Sequence, residues 1–539
     1  MTRGTRRITL LSMKQPNILL ITSDQQHWRT LGSINPAIKT PHLDRLARLG
    51  VRFDRAYCPN PTCTPTRASI ITGQYPSSHG AYTLGTKLPE DQPTVGAMLH
   101  DAGYRTSLIG KAHFQPLVST PDCTSVESYP ILRDLSFWRT FNERHTPWYG
   151  FDHVELARMH ADEGHVGQHY ALWMEAQGFA DWREYFRPPA FGPKDTPRDG
   201  ARAPTLSNGP GYGWRDPMTW ALPDHLHYTT WTGQRTIAMI EDAARTGAPF
   251  FCWSSYHDPH PPYCVPEPWA SMYRPEDMHD QIGQFVEGEF DDMSPPYHLT
   301  REEKPDTSRY NPDGKGSHGV HSHLHDRQLL LKSAACYYGM ISFMDHWIGQ
   351  TLDALERTGL LDDTLIVFTS DHGHFLGQHG LIAKGPFHYE DVIRVPFIAA
   401  FGDRLPRGRT SDQLTTLVDL APTFLHAAGI DTPLCMQGRS QLDAWVEPTR
   451  VARSSVIVEN HHNADAVHLR TLVTATHKLT VWRGRPEWGE LFDLVADPQE
   501  LRNLYHDPAA TKVKQSMLEQ FLQADLEREP APVPRVAGA

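Results

Sequence analysis

Five short apolar runs that end abruptly in polar residues constrain this chain more than any other feature. They are NILLITSD (Asn17 to Asp24), SLIGKAHF (Ser107 to Phe114), PFFCWSSYHDPH (Pro249 to His260), TLIVFTSDHG (Thr364 to Gly373) and VPFIAAFG (Val395 to Gly402). Continuous apolar runs of this length fit strands buried on both faces. Such strands need helices above and below them, and helical patterns lie between the runs. In PHLDRLARLG, Leu43, Leu46 and Leu49 share one face, Pro41 stands near the start and Gly50 is a stop. A longer helical pattern covers about 327–359. The expectation is an α/β fold, a large mostly parallel sheet flanked by helices.

Two stretches read as insertions into that frame, about 115–225 and 287–326. Within the first, Pro188 to Pro217 is rich in Pro, Gly and Arg and is expected to be a long surface loop. The second ends in SHGVHSHLHD, whose His318, His321, His323 and His325 suggest a mobile rim rather than a fixed metal site. After about residue 445 the pattern changes. SSVIVEN, RTLVTAT and HKLTVWR read as short antiparallel strands, and a helix over about 511–527 closes the chain. The expected division is an extension over 1–15, a catalytic α/β domain over 16–445 and a smaller subdomain over 446–539.

Charge and cysteine content remove several function classes. The net charge of -12 argues against a general nucleic-acid binder. The 7 cysteines are scattered without a CxxC, so neither a disulfide framework nor a zinc ribbon is expected. The basic N-terminus has too short an apolar part for a signal peptide, and no run approaches membrane-spanning length. A cytoplasmic protein that does not engage membranes is expected.

In parallel sheets, sites gather beyond the carboxyl ends of strands. Those ends here carry Asp24 and Gln25, Lys111 and His113, His257 and His260, and Asp371 and His372. Asp24 or Asp371 alone reads as a helix cap. Together, two carboxylates, an amide oxygen and an imidazole suit one divalent cation. Oxygen-rich shells favour Ca²⁺ or Mg²⁺, and the imidazole shifts the balance toward Mn²⁺; Ca²⁺ is the first expectation. Lys111, Lys384 and Arg67 lie in segments that converge on the same edge, where positive groups suit a tetrahedral oxyanion. A single lysine would ordinarily be a solvated surface charge. His113, His257 and His260 are acid/base candidates, with a structural role equally open for His257.

The stretch PTCTPTRASIITG (Pro61 to Gly73) places Cys63, Pro65 and Arg67 at alternate positions before two isoleucines and a Thr-Gly stop. Read alone, it is a thiol at a helix start, where the dipole favours a thiolate. The stretch matches the sulfatase signature in full, and the chain resembles the formylglycine-dependent sulfatases from about Pro16 to Leu504. The order PNILLITSDQ, signature, GYRTSLIGKAHF, YHDPHPPY, TLIVFTSDHGHFLGQHGLIAKGPFHYEDVIRVPFI and ELFDLVADPQELRNL is similar to theirs.

That resemblance implies an alkaline-phosphatase-like fold with a smaller C-terminal domain carrying a short antiparallel sheet. It implies that a separate maturation enzyme oxidises Cys63 to Cα-formylglycine, reading Cys63, Pro65 and Arg67. It places Asp24, Gln25, Asp371 and His372 as metal ligands beside residue 63, and Arg67 as the group that steadies the formylglycine. Lys111, His113, His260 and Lys384 match the residues that hold sulfate and handle protons, with His257 beside them at the substrate. The implied reaction is in-line attack on sulfur by one hydroxyl of the hydrated aldehyde, its proton going to Asp371. His260, with Lys384, protonates the leaving alcohol. His113 takes the second hydroxyl's proton as sulfate departs.

Three positions depart from the common pattern: Gln25 and His372 stand where many sulfatases carry Asp and Asn, and Leu84 where an asparagine is frequent. Asp-Gln and Asp-His pairs resemble those of phosphonate monoester hydrolases and choline-sulfatase-like members, whereas Lys111-x-His113 is sulfatase-like. The expectation is an arylsulfatase-type sulfuric-ester hydrolase. Phosphonate monoester or phosphodiester hydrolysis and choline sulfate hydrolysis are the alternatives, the last by cation–π contact with an aromatic wall. A small-molecule sulfate ester, the maturation enzyme and a homo-oligomeric partner are the expected associations.

Overall fold

The structure is a computed structural model and describes residues 15–158, 166–186, 201–202, 218–311, 319–447, 449–463 and 466–529. All of the expected N-terminal extension but Gln15, almost all of the 188–217 loop, and His318 lie outside the described residues. The largest sheet has 8 strands. In spatial order they are Arg409–Ser411, Val51–Phe53, Phe397–Ala400, Thr364–Ser370, Asn17–Ser23, Phe250–Ser255, Arg105–Gly110 and His153–Leu156. Asn17–Ser23 lies at its centre, parallel to both Thr364–Ser370 and Phe250–Ser255.

Alternation within the apolar runs buries both faces. Ile18, Leu20, Phe251, Trp253, Leu365 and Val367 face one core with Ile70, Ile71 and Phe424. Leu19, Ile21, Phe250, Ile366 and Phe368 face the other, against Leu43, Leu46, Ile348 and Leu352. Each such side chain contributes about 1.5–3 kcal/mol by leaving water. The second core is closed by helices Pro41–Leu49, Tyr228–Thr246 and Arg327–Arg357. In the first of these Leu43 and Leu46 are buried, while Leu49 is only partly so.

Phe397–Ala400 runs antiparallel to Thr364–Ser370. Its apolar composition matches the parallel strands, so direction is set by the connection. Between Ser370 and Phe397 the chain forms only two-residue strands, the 3-10 turn Gln378–Gly380 and one four-residue helix, with no crossover long enough for a parallel return. That connection therefore stays at the polar edge, carrying residues 371–396 across it.

Strand register brings the ionisable ends together. Ser23 pairs with Ser370 and Thr22 with Ser255, so Asp24 and Asp371 leave adjacent strands side by side. Gly110 pairs with Ser255 immediately before Lys111. It has φ +106°, and a Cβ there would lie 1.9 Å from the Ser255 carbonyl oxygen, so only glycine lets these strands approach.

A 4-stranded antiparallel sheet follows, ordered Ser455–Asn463, Val467–Thr474, His477–Trp482 and Arg485–Asp493. The first three strands are those expected from the sequence. The fourth contains ELFD of the C-terminal motif. Helix Thr511–Leu526 packs Met517 and Phe521 against Ile457, Leu472, Leu479 and Leu491 of this sheet.

The 287–326 stretch differs from a polar insertion. Phe290, Met293, Tyr297 and Tyr310 enter the main core. His323 is buried, its Nδ1 accepting from the Ile382 amide at 3.2 Å and its ring stacked on His321. These histidines hold the segment against the Ile382–Lys384 turn rather than forming a loose rim.

Candidate active site

Cys63 opens helix Cys63–Thr72. All ten residues of this helix are buried, and Gly73 ends it in the left-handed conformation at φ +62°. Ile70 and Ile71 anchor it in the core. The Cys63 side chain is at the floor of the polar edge, with 1% exposure. Burial pushes its thiol up, and the Asp24 charge adds to this; Lys384 and Lys111 offset only part. The thiolate expected from a helix start is therefore disfavoured.

Ligand atoms of Asp24, Cys63, Asp371 and His372 all lie within 4.8 Å of one another. Three segments supply them: the end of the central strand, the signature helix and the end of its neighbour strand. The His372 ring donates from Nδ1 to the Gly373 carbonyl at 2.9 Å. Its Nε2 lone pair therefore faces inward, 3.2 Å from the Cys63 sulfur. Burial, then the Lys384 charge, push this imidazole down to about 4, so it is neutral and a ready ligand. Gln25 follows Asp24 with φ +66°, uncommon for a residue with a side chain. Its amide donates to Asp371 Oδ1 at 3.0 Å and its carbonyl accepts from the Tyr337 hydroxyl at 2.8 Å. Gln25 Oε1 is buried and has no hydrogen-bond partner among the described residues. A shell of two carboxylates, an inward imidazole and an unspent amide oxygen fits one divalent cation.

Arg67 is wholly buried and joins these groups. Its Nε donates to Asp371 Oδ2 at 2.9 Å, and Nη1 donates to the Lys111 carbonyl at 2.9 Å and to Ser255 Oγ at 2.7 Å. Its Nη2 has no partner among the described residues. Lys111 forms a buried salt bridge with Asp24. Burial raises the Asp24 carboxyl, but the charges of Lys111, Arg67 and Lys384 outweigh it and hold the group well below the usual carboxylate range.

Lys384 Nζ lies 3.0 Å from the Cys63 sulfur, 3.2 Å from His372 Nε2 and 3.3 Å from His260 Nε2. Burial pulls its ammonium down, yet the Cys63 sulfur it bonds to, with the Asp24 and Asp371 charges, holds it above the ordinary lysine value. His260 donates from Nδ1 to the Pro261 carbonyl at 2.5 Å, so its Nε2 lone pair faces the Lys384 ammonium. Burial, then Lys384, keep this ring neutral.

His113 follows Lys111 in the left-handed conformation, φ +60°, with its amide on Glu127 Oε1 at 2.8 Å. Glu127 also accepts from the amides of Phe114 and Gln115 and pairs with Arg158. The His113 ring is held well below the ordinary range by burial and then Arg158, and Nδ1 has no partner among the described residues. His257 turns the other way. Its Nε2 donates to the Ala157 carbonyl at 2.6 Å, its ring lies 5.0 Å from Tyr228, and it is fully buried. The structure thus gathers Asp24, Cys63, Arg67, Lys111, Asp371, His372, Lys384 and His260, and places His257 in the supporting layer.

Sequence reasoning missed Ser255, Glu127, His374 and Tyr263. Ser255 ends an apolar strand, and His374 and Tyr263 stand inside DHGH and HDPHPPY, so a polar residue in each motif was the available signal. His374 Nδ1 lies 2.7 Å from Gln25 Nε2, and its Nε2 lies 2.7 Å from the Tyr263 hydroxyl.

Comparison with known proteins identifies the family. The sulfatase family model matches residues 16–430, and the model for the N-sulphoglucosamine sulphohydrolase C-terminal region matches 377–527. The chain belongs to the sulfatase family and is a sulfatase-type enzyme. It is 28% identical to an arylsulfatase of Clostridium perfringens over 503 residues, covering 91% of this chain and 90% of that protein. It is also 28% identical to the multifunctional alkaline phosphatase superfamily protein PehA of Trinickia caryophylli over 523 residues, covering 92% of each. The phosphonate monoester hydrolase SpPMH from Silicibacter pomeroyi superposes with a TM-score of 0.73 at 24% identity, covering 96% of both chains. That likeness shows the alkaline-phosphatase-like fold.

Proposed function

We propose that this enzyme hydrolyses sulfate monoesters in the manner of an arylsulfatase, using a formylglycine made from Cys63 and one divalent metal. Asp24, Gln25, Asp371 and His372 would hold the metal, with Ca²⁺ preferred and Mn²⁺ the alternative. The observation that carries this reading is the meeting of Lys384, His372 and Asp24 at the Cys63 sulfur, from separate segments of the chain. When bound, the metal supplies Lewis acidity and lowers the pKa of a hydroxyl at residue 63.

The chain's own residues do the rest. Lys111 and Lys384 place positive charge around a tetrahedral anion, in a site where water is excluded and such charge counts most. Arg67 locks Asp371 in orientation and keeps a buried donor, Nη2, one helical turn from residue 63. Protonation of the leaving alcohol starts at Lys384. A neutral His260 whose Nδ1–H is committed to Pro261 has no proton of its own at Nε2, so the lysine ammonium at 3.3 Å is the source. His113, neutral and with Nδ1 unpartnered among the described residues, is the base for the second hydroxyl of residue 63.

Two measurements test this reading. A peptide mass spectrum over residue 63 of protein from its native host should show an aldehyde; a free thiol overturns the mechanism. Catalytic efficiency on an aryl sulfate should exceed that on an aryl phosphonate monoester. The reverse order assigns the phosphonate or phosphodiester activity instead, and preference for choline sulfate assigns the choline-sulfatase alternative.

A further inference from the structure

Gln25 differs from the other groups around the Cys63 sulfur in having two unlike ends. A carboxylate offers oxygen whichever way it turns, whereas a carboxamide offers oxygen at one end and two N–H donors at the other. If the amide turned over, it would point N–H at a site that already faces Lys111 and Lys384. Something must hold it with oxygen inward.

The backbone cannot do so. The Gln25 amide and carbonyl are fixed by Asp371 and Tyr337, but these bonds leave the terminal torsion open. The only hydrogen bond to the side chain among the described residues is that of Nε2 to His374 Nδ1 at 2.7 Å. His374 is fully buried, and its backbone amide is tied to the Asp391 carbonyl at 2.9 Å. Its ring stacks on Tyr337 with centroids 4.8 Å apart, so it cannot swing away.

A neutral imidazole has one donor and one acceptor. With its proton on Nε2, His374 donates to the Tyr263 hydroxyl and accepts from the Gln25 NH₂ at Nδ1. Gln25 Oε1 is then turned inward. With the proton on Nδ1, the imidazole would instead demand Oε1 and aim the NH₂ inward.

The geometry points to His374 and Tyr263 as a positioning pair that sets the Gln25 carboxamide with its oxygen toward the cation. The inference rests on the metal-site reading above. It makes the fourth ligand conditional on the tautomer of the neighbouring imidazole, which a carboxylate at position 25 would not require.

Mn²⁺ titration of the metal-stripped full-length protein, followed by chelator competition, tests this without reference to turnover. Wild type should bind one Mn²⁺ per chain and Asp24→Ala should not. His374→Phe keeps the ring stack on Tyr337 but removes the acceptor, and should weaken Mn²⁺ binding about 10- to 100-fold. Tyr263→Phe should weaken it in the same direction. In a Gln25→Glu background, which presents oxygen at either end, adding His374→Phe should leave the affinity of Gln25→Glu unchanged. Wild-type affinity in His374→Phe, or an equal loss in the Gln25→Glu background, overturns the positioning role while the metal site stands. Failure of wild type to bind, or undiminished binding by Asp24→Ala, removes the metal-site reading and this inference with it.

Discussion

Arg67 is the residue on which the site turns. It bonds to Asp371, to the Lys111 carbonyl and to Ser255, so one guanidinium fixes the ends of three strands. Arg67→Met would leave the Asp371 carboxylate buried without its partner. The expected loss is about 3–5 kcal/mol in denaturant unfolding, and a loss under about 1 kcal/mol would mean that Asp371 is neutralised by other means. Cys63→Ala tests a different property. It should abolish aryl-sulfate turnover while leaving the unfolding midpoint close to wild type, because the thiol makes few demands on its surroundings. The pairing of these two residues was legible in the sequence because Cys63 and Arg67 are one helical turn apart in a short specific pattern. His374 was not legible, because its partner Gln25 is 349 positions away.

At the level of elements, the parallel strands announced themselves through unbroken apolar runs. The direction of Phe397–Ala400 did not, since composition is blind to strand polarity and only the connection decides it. The packing of 287–326 was hidden for a related reason. Its anchors Phe290, Met293 and Tyr297 are spaced among charged residues, and their burial depends on a distant core. The C-terminal sheet was read from its β-branched runs, but the polar layer beneath it was not. There Lys478 forms a buried salt bridge with Glu500, Glu500 accepts from the Glu390 amide at 2.7 Å, and Tyr57 donates to Glu390 at 3.0 Å. Glu490 accepts from Trp482 Nε1 at 3.0 Å in the same sheet. Burial raises both Glu490 and Glu500 to about 7. A carboxyl with a raised folded-state pKa holds its proton in the native state after the unfolded chain has released it. Stability therefore falls as pH rises from about 4.5 to about 7, and the deficit persists above. Glu490→Gln should accordingly gain stability over wild type at pH 8 by denaturant unfolding, with the gain shrinking to nothing by about pH 4. A gain that does not vary with pH would contradict the assignment. Lys478→Met should lose several kcal/mol at neutral pH, as expected when one partner of a buried pair is removed.

Across the whole molecule, the site is assembled from the ends of strands that form the centre of the largest sheet, so ligand binding and global stability are linked. A metal that binds only the folded chain raises its unfolding temperature with concentration. Adding Mn²⁺ or Ca²⁺ to stripped wild type should raise the melting temperature, the same addition to Asp371→Ala should not, and chelation should reverse the effect. Equal shifts in both proteins would place the binding elsewhere. Among the described residues no helix is long and apolar enough to cross a membrane. The burial of residue 63 also fixes a sequence of events. With 1% of its surface open and all ten residues of its helix enclosed, the Cys63 side chain is beyond the reach of any other macromolecule once the sheet has closed over it. An enzyme that alters this thiol must meet the chain while it is still being made or is unfolded. A molecule that folds before that encounter stays unaltered, so under the mechanism proposed above the active fraction of a preparation records which process was faster.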